Sequence, residues 1–302
     1  MSHATGVPDA PPDEQHDEQH DAQHDAQHDA QHDAQHDAQH DVQHGDAGAA
    51  PGFEVAPPGS VRRPGTTTIG IPAAVLDDLV TLRRAGYKVG LVVRHAERHP
   101  LIDLRTHHTL LLTERGHRMA QEAGRALAAR LVTSGVRTVR ALHSPVERCA
   151  ETARGLVDGA RDDGLAAVVA GSEHVLGDPF LRDRHGALAL AEELGPGFLR
   201  AWFDGRVPDR VLQDHRAAAA DQLATYARHV RDAADDDVVV MVSHDWNVAL
   251  VREIVLGVRH EEAWPHFLDG FVVAVDGDDV LVGHGGRTRR TTAQATATPV
   301  SG

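Results

Sequence analysis

The chain lacks most of the features that mark secreted, membrane-bound or nucleic-acid-binding proteins. Its 302 residues include a single cysteine, Cys149, so no disulfide can form within the chain. No apolar run approaches the roughly 20 residues of a membrane helix. The first residues show neither the basic nor the apolar region of a secretory signal, and no basic stripe indicates a nucleic-acid surface. We therefore expect a soluble, cytoplasmic protein without a nucleic-acid or membrane partner.

Lysine and arginine are absent from the first 50 residues, which hold twelve acidic side chains. Because the formal net charge of the whole chain is −15, the remaining residues are close to neutral. Residues 13–44 repeat the tetrapeptide Asp-(Glu/Ala/Val)-Gln-His eight times and contain no aromatic side chain. Such a segment cannot bury enough apolar surface to offset the entropy of ordering. We predict a disordered tail and linker over residues 1–69.

The repeat also places eight histidines at a spacing of four residues. On a helix this spacing would bring neighbouring imidazoles to one face, where pairs of them bind zinc, nickel or copper. A divalent transition metal is therefore a predicted weak partner of the repeat, and metal buffering is an alternative function for the chain. The histidines concerned are His16, His20, His24, His28, His32, His36, His40 and His44.

Beyond the linker, apolar strand patterns alternate with amphipathic helix patterns. Strands are predicted just before His95, Ser144 and His244, and a helical pattern follows each of them. These strands are apolar throughout rather than at alternate positions, which is typical of parallel strands covered on both faces. The pattern predicts an α/β fold, a three-layer sandwich with a mostly parallel central sheet and a small helical cap insertion.

Composition also sets the predicted domain boundaries. We assign the folded domain to residues 70–286, with the cap at about residues 171–235. A hairpin around Asp276 and Gly277 closes the domain. Residues 287–302 are predicted to be a disordered C-terminal tail.

Polar side chains gather after three of the predicted strands. They are Arg94, His95 and Arg98 after the first strand, Ser144 and Arg148 after the second, and His244 and Asp245 after the third. Since ligands bind at the carboxyl ends of parallel strands, we expect these groups to converge. Arginine forks bind a phosphate dianion, and a neutral imidazole can attack phosphorus. The set indicates phosphoryl transfer on a small phosphorylated substrate, with no cofactor and no metal in the catalytic site.

These same residues resemble the histidine phosphatase superfamily, which has the phosphoglycerate-mutase-like fold. The matching segments are, in order, Arg94-His95-Ala96, LTERGHRMAQEAG, SPVERCAETA and VSHDWN. The resemblance spans about residues 86–283. It implies that His95 is the nucleophile that becomes phosphohistidine, and that Arg94, Arg148 and His244 bind the phosphate. Ala96 departs from the glycine that the family often has at this position.

Two branches of the superfamily are represented in these segments. RHAERHP and the pair His244-Asp245 resemble the acid phosphatase branch, which implies that Arg98 is a further phosphate ligand and Asp245 the proton donor. LTERG and SPVERCAETA resemble the mutase branch, whose acid follows the second arginine, so Glu173 and Asp183 are alternative donors. We predict a metal-independent phosphomonoester hydrolase. A mutase-like phosphotransferase and a non-catalytic phospho-ligand module are the alternatives.

Overall fold

Residues 70–100 and 110–292 are described by a computed structural model of the chain. The predicted N-terminal tail with its histidine repeat, and residues 293–302, lie outside the described residues. The strands are β1 Lys88–Arg94, β2 Thr138–His143, β3 Ala166–Ser172, β4 Asp237–Ser243, β5 Gly270–Asp276, β6 Asp279–His284 and β7 Arg287–Thr292. The α-helices are α1 Ala73–Arg84, α2 Glu114–Leu131, α3 Glu147–Asp162, α4 Arg184–Leu194, α5 Phe198–Phe203, α6 His215–Asp232 and α7 Asp245–Leu256.

The seven strands form one mixed sheet in the order β3-β2-β4-β1-β5-β6-β7. The first four strands of that order run parallel, and β5, β6 and β7 continue the sheet as an antiparallel meander. The predicted α/β fold is confirmed. Its parallel part comprises four of the seven strands, because the chain turns back through hairpins after β5 instead of crossing over a helix.

The sheet is buried on both faces, as the apolar strands predict. In β1 and β4 every residue after the first is buried. Helices α1, α2 and α3 pack on one face of the sheet around Leu91 and Val240. Helices α6 and α7 pack on the other face around Val92 and Met241. The alternate residues of each strand thus supply two separate cores, which gives the three layers.

A third core lies beyond the sheet edge and forms the cap. It consists of aromatic and aliphatic side chains of α4 and α5 packed on the first turns of α7, with Trp246 in contact with both Phe198 and Trp202. The predicted cap, residues 171–235, is too long, because α6 lies within it in sequence but packs on β1, β4 and β5. Composition alone does not distinguish a cap helix from a layer helix.

The predicted C-terminal boundary at residue 286 is also wrong. Arg287–Thr292 form β7, which pairs antiparallel with β6 from His284–Arg287 to Asp279–Thr292. The segment is polar throughout, so it lacks the apolar alternation of a half-buried strand and its backbone ladder decides its structure. Among the described residues, no helix has the length and hydrophobicity needed to cross a membrane.

Candidate active site

The ends of β1, β2 and β4 lie side by side at one edge of the sheet. Because β4 is hydrogen-bonded to both other strands, Arg94 stands opposite Ser243 and His143 opposite Val242. The ladder continues one residue further, where His95 N donates to the Ser243 carbonyl over 2.9 Å. The three segments that the sequence singles out therefore converge, and the N-termini of α3 and α7 add partial positive charge at this edge.

The His95 ring is held in one orientation and its nitrogens have different roles. Nδ1 lies 2.8 Å from the Ala96 carbonyl, which can only accept a hydrogen bond, so Nδ1 carries the proton. The lone pair is consequently on Nε2, which accepts a hydrogen bond from Arg148 Nε at 3.0 Å. His95 is buried, with 1% of its surface exposed. The neutral tautomer presents Nε2 as the nucleophilic atom.

Arg148, in the first turn of α3, bridges the two histidines. Its Nε contacts His95, and its Nη2 lies 3.3 Å from His244 Nδ1. The two imidazole rings are 5.6 Å apart between centroids, at an interplanar angle of 71°. On its other side His244 Nε2 lies 2.9 Å from Ser144 Oγ, which fixes that ring as well. One guanidinium and two imidazoles thus share one buried space.

Arg94 joins the site from β1 and pairs with Asp245. Its Nη2 lies 3.0 Å from Asp245 Oδ2, and both side chains are buried. Arg94 Nη1 donates to the Pro265 carbonyl at 3.1 Å, and the guanidinium lies over the Phe267 ring at 4.4 Å from its centroid. Asp245 Oδ1 accepts from Trp246 N at the start of α7. The contacts place an acidic group directly beside a cation able to bind phosphate.

The segment after His95 is fixed by the N-terminus of α2. Thr113 is the N-cap of this helix: its Oγ1 accepts from Gly116 N at 2.8 Å and donates to Glu97 Oε1 at 2.8 Å. A Cβ on Gly116 would lie 1.9 Å from the Glu97 carbonyl oxygen, so this close approach requires glycine. Glu97 also pairs with Arg115 at 2.6 Å. The LTERG segment, residues 112–116, therefore holds the loop that follows His95 in place.

Arg98 has a local role in the structure. It is 4% exposed, its Nη1 donates to the His99 carbonyl at 2.9 Å, and its backbone pairs with Leu112 in an isolated bridge. The side chain is therefore turned inward. Its direct contact with phosphate stays a prediction.

The two alternative acids lie in other contacts. Glu173 Oε2 is 2.6 Å from His229 Nε2 on α6 and 3.5 Å from Arg228. Burial alone would raise the pKa of Glu173, but the hydrogen bonds from His229 and Val175 N and the two neighbouring cations lower it below its usual value. Asp183 caps α4 by accepting from Gly186 N at 3.1 Å. Neither acid contacts His95 or Arg148 among the described residues.

Several residues of the site carry no strong sequence signal. Thr152 Oγ1 accepts from Ala96 N at 3.0 Å and donates to the Arg148 carbonyl, so it links the segment after His95 to the first turn of α3. Phe267 packs against His95 and Arg94 from the segment before an antiparallel strand. Cys149 Sγ lies 3.7 Å from His244 Nε2. The four-residue spacing from Arg148 could have indicated Thr152, whereas nothing in the sequence points to Phe267.

Within the described residues, one cluster has the spacing of metal ligands. It comprises Glu253, His260 and Glu261 and lies outside the catalytic site. Arg200 already places a cation among these groups, with 2.5 Å contacts to both glutamates. Burial opposes ionisation of Glu261, but hydrogen bonds from Arg200 and Arg259 outweigh it and lower the pKa of Glu261 to about 2. The cluster is therefore a compensated ion network between the cap and α7.

Comparison with known proteins gives matches only among solved structures. No protein-family model and no curated protein matches the chain. YhfR from Bacillus stearothermophilus is 18% identical over 68% of this chain and 95% of its own, with a TM-score of 0.41. The alpha-ribazole phosphatase from Shigella flexneri is 16% identical over 71% and 100%, with a TM-score of 0.37. Phosphoserine phosphatase from Entamoeba histolytica is 14% identical over 68% and 95%, with a TM-score of 0.35.

These structures belong to the superfamily that the sequence resembles. At such identities and scores the likenesses bear on the fold at most and say nothing about substrate. The acid phosphatase branch is not represented among the three, so the choice of branch stays a prediction. The chemistry of the site rests on the contacts of its own residues.

Proposed function

We propose that this chain, whose sequence resembles the histidine phosphatase superfamily, hydrolyses small phosphomonoesters through a phosphohistidine on His95. The observation that carries the proposal is Arg148, which contacts both His95 and His244 in one buried space. A single tetrahedral anion placed there would be within reach of three cationic or imidazole groups. A neutral imidazole beside guanidinium groups at one sheet edge suits phosphoryl transfer more directly than other chemistry.

In the first step, Nε2 of His95 attacks phosphorus and the bond from phosphorus to the ester oxygen breaks. Bound phosphate replaces Nε2 as the acceptor of the Arg148 Nε hydrogen bond, which frees the attacking lone pair. Arg94, Arg148 and His244 stabilise the charge on the non-bridging oxygens. The leaving alkoxide takes a proton from Asp245, which carries the proton that it received from water in the preceding turnover.

In the second step, water attacks the phosphohistidine and Asp245 accepts the proton of that water. The nitrogen–phosphorus bond breaks, inorganic phosphate leaves, and His95 regains its lone pair. Asp245 pairs with Arg94 in the ligand-free site. A phosphate dianion competes for Arg94, so the carboxyl group is released to hold the transferred proton.

Further features of the chain stay proposals of the same kind. We place the protein in the cytoplasm, since its single cysteine fits a reducing compartment. Water as the acceptor distinguishes a hydrolase from the phosphotransferase alternative, in which a second hydroxyl takes the phosphoryl group. Transition-metal binding by the histidine repeat concerns residues outside the described part of the chain.

Hydrolysis of p-nitrophenyl phosphate in the presence of EDTA tests the proposal. We expect turnover that EDTA leaves unchanged, because no step uses a metal. Inorganic phosphate and the phenol should form in equal amounts. Activity that EDTA removes and added metal restores would contradict the mechanism. The same assay over sugar phosphates, nucleotides, phosphoproteins and inositol phosphates would then define the substrate.

A further inference from the structure

A chain of buried polar side chains lies behind the turn that carries His244 and Asp245. Gln222 Nε2, on α6, donates to Asn247 Oδ1 at 2.7 Å, and Tyr226 OH donates to Gln222 Oε1 at 2.9 Å. Each of these three residues is at most 1% exposed. Bulk solvent therefore does not reach them.

One end of this polar chain lies beside the proposed catalytic turn. Asn247 lies in the first turn of α7, two residues after Asp245. Its Oδ1 accepts from Gln222 on α6, so the first turn of α7 cannot rotate without breaking a buried hydrogen bond.

The same helix also holds the loop that follows β3. Ser243 Oγ donates to the Leu176 carbonyl at 2.7 Å, and His229, one turn beyond Tyr226, holds Glu173. Helix α6 therefore holds both the loop after β3 and the first turn of α7, and fixes these two segments relative to each other.

Packing alone does not explain why the buried side chains of this chain are polar. Tyr226 lies in the core between α6, α7 and the sheet, among apolar side chains such as Leu223, Val248 and Phe271. Apolar residues would fill such a space without the desolvation cost of amide and hydroxyl groups. Directional hydrogen bonds fix the rotation of the first turn of α7 about the helix axis, whereas apolar contacts do not.

We propose that Tyr226 and Gln222 are positioning residues that hold His244 and Asp245 in the orientation required for phosphoryl transfer. The inference rests on the proposed function. Neither side chain touches the reacting atoms, and both act through Asn247. Burial raises the pKa of Tyr226 above its usual value, so its phenol remains a donor throughout the working pH range.

Removal of the Tyr226 hydroxyl tests this role. We expect Tyr226→Phe to lower kcat on an alkyl phosphate by about 10- to 100-fold and to leave KM nearly unchanged. Substrate binding by Arg94 and Arg148 does not depend on this chain. The matched control is Tyr87→Phe, which removes the same atom from the chain's other tyrosine, beside the core on the opposite face of the sheet. Each rate is divided by the amount of phosphorylated enzyme formed in the burst, so that unfolded chains do not contribute to the comparison.

Two variants of Gln222 separate orientation from packing. Gln222→Leu keeps the volume but breaks both hydrogen bonds, so kcat should be low at every pH. In Q222E a protonated carboxyl again has one donor and one acceptor, whereas the ionised form has no donor for Asn247. Since burial raises the pKa of a carboxyl group, Q222E should be active near about pH 5 and lose activity towards about pH 8. A purely structural role gives no such pH-dependent rescue.

Wild-type kcat in Tyr226→Phe, per phosphorylated enzyme, would overturn the inference, as would equal pH profiles of Q222E and Q222L. If the proposed function itself is wrong, the result is different, because the wild type would then show no turnover that depends on His95. That result would overturn both proposals together.

Discussion

Replacement of His95 by alanine is expected to lower kcat/KM for p-nitrophenyl phosphate by at least about 10⁴-fold. The substitution removes Nε2, the only atom in the proposed scheme that forms a bond to phosphorus. Arg94, Arg148 and His244 remain, so phosphate binding should survive. The loss should therefore appear in kcat, with only a small change in the inhibition constant of inorganic phosphate.

The matched control is His99→Ala, four residues further along the same segment. His99 is exposed, and its carbonyl rather than its ring accepts from Arg98. We expect activity close to that of the wild type. Thermal unfolding of both variants would show that each is folded. Turnover by folded His95→Ala at the wild-type rate would exclude a covalent intermediate on this residue.

Replacement of Asp245 by asparagine should have an effect that depends on the leaving group. An alkyl alkoxide is strongly basic and needs a proton in the transition state, so we expect kcat/KM for an alkyl phosphate to fall by about 10²- to 10⁴-fold. The p-nitrophenolate ion leaves without protonation, so kcat/KM for p-nitrophenyl phosphate, which reports only the first step, should change little. The ratio of the two rates is the measurement, and it cancels any general loss of folded protein.

The alternative acids supply the controls for this comparison. Glu173→Gln and Asp183→Asn should leave the rate ratio unchanged, because Glu173 is engaged with His229 and Asp183 caps α4. A leaving-group-dependent loss in Glu173→Gln, with none in Asp245→Asn, would transfer the acid to the loop after β3. That outcome would also favour the mutase-like pattern over the acid phosphatase pattern.

The convergence of the site was predictable because it follows from strand direction. Once β1, β2 and β4 are assigned as parallel strands, His95, Ser144 and His244 must lie at one edge. The bridging position of Arg148 also follows, since it lies in the first turn after the β2 loop. The sequence therefore contains the order, spacing and type of the main groups, and the structure adds their distances.

Other parts of the site depend on tertiary contacts that no local pattern contains. Phe267 reaches His95 from the segment before β5, and a lone aromatic residue in such a segment has no distinguishing neighbours. The choice among Asp245, Glu173 and Asp183 depends on which partners each acid meets after folding. Strand β7 and the position of α6 were missed for the same reason. A polar edge strand and a layer helix are specified by the elements that they pack against.

The most direct test is to trap the phosphorylated enzyme during turnover. Rapid quenching under basic conditions preserves a phosphohistidine, and peptide mass spectrometry with phosphorus NMR then identifies the modified residue and its nitrogen. We expect one phosphoryl group per chain, on Nε2 of His95, formed before steady-state release of phosphate and absent from His95→Ala. A phosphoryl group on another residue, or hydrolysis without any protein-bound phosphate, would contradict the mechanism.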